Sequence, residues 1–138
     1  MIQATLERQR DTIRWWNTYR VRFHVCVSDQ VVIEAAGGKP EFAARRLTEA
    51  AQLHLLVAEP EDQLLAVELV DHKLIPAIAK VDALHLAIAV RTKMDIVLTW
   101  NLKHLANPQV LPLVYNYLQG CGRHVPAVTT PSDLMESL

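Results

Sequence analysis

The chain has 138 residues, 51% of them hydrophobic and 21% charged, with a formal net charge of −1. That length suits one domain able to bury roughly two-thirds of its unfolded surface, so neither a disulfide framework nor a metal staple is required. Near-neutral charge removes any bulk pull toward nucleic acid, and no apolar run approaches the ~20 residues of a membrane span.

The first stretch, Ile2 to Arg20, carries Ile2, Leu6, Ile13, Trp16 and Tyr19 on one loose helical face. Its Glu7, Arg8 and Arg10 argue against a signal peptide. Phe23, Val25 and Val27 alternate with His24 and Cys26, a strand pattern that ends in Ser28-Asp29. Either of those two residues can cap a short helix through Glu34, stopped by Gly37-Gly38, and Pro40 suits the first turn of the next helix. Cys26 and Cys121 stand far apart and form no CxxC pair, so they read as free thiols of a cytoplasmic protein.

Leu53 to Val57 reads as a second strand, and Pro60-Glu61-Asp62 opens a helix with proline and acids where the dipole favours them. Leu74 to Lys80, broken by Pro76, predicts a turn or short helix. Asp82 then starts an apolar helix, Ala83 to about Arg91. Ile96 to Trp100 is the third strand. A helical stretch follows, interrupted at Asn107-Pro108, kinked at Pro112 and ended by Gly120 and Gly122. Val125 to Val128 is the last strand, and Pro131-Ser132-Asp133 starts the terminal helix. Strands separated by helices predict one α/β domain over residues 1–138: a three-layer parallel sheet with helices on both faces.

In such folds the reactive edge lies at the carboxyl ends of the strands. Three polar residues fall there: Glu34, Asp82 and Asn101. The six histidines show no paired zinc spacing, and GxSxG, P-loop and GxGxxG motifs are absent. An unrelated flavodoxin-like nucleotide binder would need a phosphate-cradling loop, and the sequence offers none.

The run Asp82-Ala83-Leu84-His85-Leu86-Ala87-Ile88-Ala89, with Leu98-Thr99-Trp100-Asn101-Leu102-Lys103-His104-Leu105-Ala106-Asn107, resembles PIN-domain proteins, above all the bacterial branch related to the VapC toxins. Trp15-Trp16-Asn17 and Val31-Val32-Ile33-Glu34-Ala35-Ala36 fit the same pattern. The resemblance implies an α/β fold and Mg²⁺- or Mn²⁺-dependent cleavage of single-stranded RNA by clustered acids. It maps the second acid to Glu34, the third to Asp82, and a fourth position to Thr99-Trp100-Asn101. Glu34 and Asp82 would then be the metal ligands, with Thr99 or Asn101 positioning water or adding a ligand. It further implies a possible antitoxin protein as partner and a homodimer. A hard divalent cation takes oxygen ligands, and phosphodiester hydrolysis needs charge neutralisation and an activated water. Two carboxylates balance one Mg²⁺ and are weak for two.

The family's opening strand, which ends in an acid, has no counterpart in these residues. The flanking strands would then close directly on each other, or a second copy would cover the edge, leaving a dimer with a weakened, metal-free acidic site. The alternative function is a degenerate PIN-like module that binds RNA or a protein without cutting. Plainer roles exist for each residue: Asp82 as a helix cap, His85 as a hydrogen-bonded core histidine, Trp100 as packing rather than a base-stacking platform, and Lys103 and His104 as a solvated face rather than phosphate contacts.

Overall fold

A computed structural model describes residues 10–29, 40, 44, 48 and 53–138. Residues 10–14 are α-helical and run into a π-helical turn, Trp15–Tyr19, and a 3-10 turn, Arg20–Arg22. The adjacent tryptophans divide there: Trp15 is buried, whereas the Arg20 guanidinium covers the Trp16 ring at 4.1 Å. The helix expected through Glu34 and the one expected from Pro40 fall largely outside the described residues.

Strand β1 (Cys26–Ser28) pairs in parallel with β2 (His54–Leu56), with Val27 opposite Leu55. Strand β3 (Ile96–Leu98) pairs in parallel with β4 (Ala127–Thr129), with Val97 opposite Val128. The protein is therefore mixed α/β, and its described strands form two parallel pairs. The expected direct closure of β1 on β3 does not occur: a groove of about 650 Å³ lies between them, lined by both. Each strand is also shorter than the apolar run that announced it. The first of them begins only at Cys26, because Phe23 turns back to Trp15, with ring centroids 6.1 Å apart.

Beyond the first helical segment, the described residues form helices α1 (Pro60–Asp71), α2 (Lys80–Arg91), α3 (Leu111–Gly120) and α4 (Pro131–Glu136). Glu59 and Asp62 form a reciprocal capping box at the start of α1. A 3-10 turn, Ala77–Ala79, leads into α2, which begins two residues before Asp82. Asp82 therefore lies inside the first turn. Pro112 occupies the second position of α3, where the absent N–H costs nothing, so it starts the helix instead of kinking it.

Helix α2 is buried nearly all round, through Ala83, Leu84, Leu86, Ala87, Ile88, Ala89 and Val90. That explains its continuous apolar run: it is the central element, with α1 packed along it. Alanines at 83 and 87 let the helices approach closely, and Leu65 and Leu69 of α1 complete the contact. Each fully buried leucine contributes about 1.5–3 kcal/mol relative to exposure. Arg91 at the end of α2 clamps the start of α1, donating from Nε to both Asp62 carboxylate oxygens at 2.8 and 3.0 Å and from Nη2 to the Val57 carbonyl at 2.8 Å. This contact holds the guanidinium above its ordinary range.

Helices α1, α2 and α3 stop by the same device. The residue after the cap adopts a left-handed conformation in each: Lys73 (φ 59°), Lys93 (φ 56°) and Gly122 (φ 69°). The next N–H reaches back to Leu69, Ala89 and Leu118 carbonyls at 3.0, 2.9 and 2.9 Å, closing Schellman motifs. Among the described residues no helix is long and apolar enough to cross a membrane.

Candidate functional site

The carboxyl ends of β1 and β3 both point toward the first two turns of α2. Ser28, the last residue of β1, lies with its Oγ 3.4 Å from His85 Nδ1. Asn101, three residues beyond β3, donates from Nδ2 to Asp82 Oδ2 at 2.6 Å. Asp82 and His85 share one helix face at a spacing of three residues. Asp82, His85, Thr99 and Asn101 are half-buried, and Ser28 is buried. The groove between β1 and β3 opens onto this cluster, and Asp82, His85, Ser28 and Thr99 all line it.

Asn101 owes its position to a turn that it organises itself. Its N–H donates to Thr99 Oγ1 at 3.0 Å, and its side-chain Oδ1 accepts from the His104 N–H at 3.0 Å. Its carbonyl accepts from Leu105 and Ala106. The side-chain amide thus presents N–H to Asp82 and turns its oxygen into the turn. The role expected of Asn101 as a carbonyl ligand is not the one it plays in this geometry. Thr99 uses its hydroxyl to hold Asn101, and Asp82 makes no capping bond to its own helix.

The other expected residues are spread around this edge. Trp100 is half-buried and donates its indole N–H to Thr12 Oγ1 at 2.7 Å, so it ties the first helical segment to the β3 end. Lys103 is exposed, and His104 is half-buried with its backbone bound to Asn101. Glu34 lies outside the described residues. The sequence reading missed the Thr12 contact and the Ser28–His85 approach. Polar residues at a strand end and at a helix start were the signals available, and neither named its partner.

The donors at this edge are oxygens, the chemistry a hard cation takes: the Asp82 carboxylate and the hydroxyls of Ser28 and Thr99. Asp29 follows β1 but accepts the Ala58 N–H at 3.2 Å. Among the described residues no group of three or more His, Cys, Asp or Glu is placed to hold a metal ion. Asp82 alone is short of charge for Mg²⁺. Cys26 lines the same groove, and burial pushes its thiol up from the ordinary range. Both cysteines are free thiols.

Comparison with models of known protein families, with curated proteins and with solved structures found no match for this chain.

Proposed function

We propose that this protein is a PIN-like endoribonuclease that cleaves single-stranded RNA with Mg²⁺ or Mn²⁺, on a three-layer α/β fold. The observation that carries the reading is the meeting of Asp82 and Asn101 at 2.6 Å. Residues 19 positions apart, which the sequence pattern assigned to one acidic site, converge at the carboxyl end of a parallel strand, where α/β folds put their chemistry. In this reading Asp82 and Glu34 are the cation's carboxylate ligands. The cation would neutralise phosphate charge and lower the pKa of a bound water. Thr99 fixes Asn101, and Asn101 fixes the Asp82 carboxylate. Trp100, Lys103 and His104, which follow Thr99 along the same edge, are in this reading the residues that would contact RNA. The same reading makes the protein a cytoplasmic toxin of a toxin–antitoxin pair and a homodimer.

The test is cleavage of a synthetic single-stranded RNA with and without Mg²⁺ or Mn²⁺. Asp82→Asn should lower the rate by at least a hundredfold while leaving the fold intact by circular dichroism. Equal cleavage by that variant would remove Asp82 from the chemistry.

One observation favours a second reading, a PIN-like module that binds RNA or a protein without cutting. Asn101 offers Asp82 an N–H where a second carboxylate would complete a cation site. Calorimetric titration with Mn²⁺ separates the two. A nuclease should bind it well below millimolar, and a binding module should not.

A further inference from the structure

The groove between β1 and β3 has walls of an unusual kind. In β3 the Thr99 N–H donates to the Thr129 carbonyl and the Asp95 carbonyl accepts from the Ala127 N–H, both at 2.9 Å. Odd-numbered residues therefore bond toward β4. The alternation of a parallel ladder turns the N–H and C=O groups of Ile96 and Leu98 the other way, into the groove. Among the described residues no strand pairs with that edge. The opposite edge of the same sheet is treated differently: there the Val128 N–H is taken by the Tyr115 hydroxyl at 2.8 Å. Across the groove, β1 likewise pairs only with β2 among the described residues.

A second observation concerns a residue that lines the same groove. Trp15 lines the groove and is 7% exposed, and its indole N–H is buried with no hydrogen-bond partner among the described residues. A buried donor left unpaired is costly, which marks this wall of the groove as incompletely satisfied. The floor is apolar, formed by Ile88 and Ala89 of α2.

We propose that this groove is a strand-acceptor site. It takes one extended peptide from another polypeptide, running parallel to β1 and β3, apolar on both faces and basic at its C-terminal end. The direction follows from the walls. Ser28 reaches His85 and Asn101 reaches Asp82, one turn apart on α2, so the carboxyl ends of β1 and β3 lie together and the two strands run the same way. A strand between two parallel neighbours bonds both of them when it runs parallel too. The apolar faces follow from burial on both sides, as for an inner strand of a parallel sheet. The basic end follows from the half-buried Asp82 carboxylate at the exit of the groove, whose one described partner is an amide. The three-residue walls and their flanks match about five residues of extended chain, at roughly 3.3 Å each. The basic end draws on the Asp82 carboxylate that the nuclease reading makes a cation ligand. The strand pairing rests on the edge of β3, and protection of Ile96 and Leu98 in EDTA reads that pairing without any catalytic step.

The probe is an acetylated, amidated octapeptide: one serine, five alternating valines and isoleucines, then two lysines. It is titrated into the full chain in EDTA, with amide hydrogen exchange followed residue by residue. At saturation the Ile96 and Leu98 amides should exchange at least tenfold more slowly, and those of Val97 and Thr99, already bonded to β4, should not change. A peptide N-methylated at alternate residues should leave exchange unaltered, and replacing both lysines by glutamate should weaken binding at least tenfold. The proposal is overturned if 1 mM peptide leaves Ile96 and Leu98 unprotected, or if the N-methylated peptide protects them equally. It is also overturned if these amides are already protected in the free protein in proportion to its concentration, which would assign the groove to a second copy.

Discussion

The Asp62–Arg91 clamp sets a quantitative test of how α1 is held on α2. Asp62 is 1% exposed, whereas the Arg91 side chain is 24% exposed. Removing the arginine (Arg91→Met) leaves a carboxylate that cannot reach water and keeps only the Glu59 N–H at 2.9 Å. Breaking a buried ion pair this way costs about 3–5 kcal/mol, and the surviving bond puts the expectation near the lower end, about 3 kcal/mol. Removing the acid is cheaper. In Asp62→Ala the guanidinium turns to solvent and keeps the Val57 carbonyl, so most of the pair energy is recovered and the lost cap of about 1 kcal/mol becomes a leading cost. About 2 kcal/mol is expected. The double variant Asp62→Leu, Arg91→Met carries no stranded charge and should lose less than the two single effects added, with a coupling of at least about 1 kcal/mol. Urea unfolding followed by far-ultraviolet circular dichroism measures all three. Strict additivity, or an Arg91→Met cost below that of Asp62→Ala, would refute the claim that the buried carboxylate, rather than the arginine, sets the energy of the clamp.

Lys73→Gly and Lys93→Gly should each stabilise the protein by up to about 1 kcal/mol, since glycine holds a left-handed conformation without the Cβ penalty. Gly122→Ala should cost about 1–2 kcal/mol for the same reason, because no atom lies within 4 Å of the added Cβ to contribute a clash; thermal melts check all three. Cys26 is half-buried with its thiol pushed up by burial, whereas Cys121 is exposed, so iodoacetamide at pH 8 should label Cys121 first, as read by peptide mass spectrometry. The raised Cys26 value means that the fold favours the protonated thiol. Stability should therefore fall as pH rises through the thiol range, and Cys26→Ala should flatten that fall in urea midpoints.

The parts of this fold that the sequence revealed are those with local causes. Pro60-Glu61-Asp62 marks the start of α1 because proline, acids and the capping box act within one turn. Gly122 marks the end of α3 for the same reason, while Lys73 and Lys93 build the same stop without a glycine to announce it. Pairing was harder to read. Four apolar runs predicted strands in the right order, but the gap between β1 and β3 is a relation between segments some 70 residues apart, and no local pattern encodes it. Asp82 and Asn101 were assigned to one site by the resemblance, but nothing in the sequence specified a direct bond between them. Their bond depends on the turn that Thr99 and His104 impose, so the orientation of the Asn101 amide could not be read from residue type. The Asp62–Arg91 pair was missed because an arginine at a helix end is ordinarily solvated.

That amide orientation gives the sharpest test of what the site is for. In Asn101→Asp a carboxylate replaces a donor held 2.6 Å from Asp82 Oδ2. Two charges at that separation repel by about 1.6 kcal/mol in bulk water and about 6 kcal/mol at an effective dielectric of 20. The half-buried setting lies between these limits, so without divalent ions the variant should be destabilised by roughly 2–4 kcal/mol at pH 7. The lost Asn101 donor adds to this, whereas its acceptor role toward the His104 N–H survives the change. A divalent cation reverses the sign of the problem, because two crowded carboxylates are what it binds. Under the nuclease reading, Glu34 and Asp82 already form part of a cation site. Millimolar Mn²⁺ should then restore most of the lost stability in the variant and raise the melting temperature of the original protein as well, by mass action on the folded state. Under the binding-module reading the original protein should not respond, and the variant alone should gain. If Mn²⁺ stabilises neither, Asp82 does not face a cation position, and the acidic site must be abandoned in favour of a purely structural Asp82–Asn101 contact.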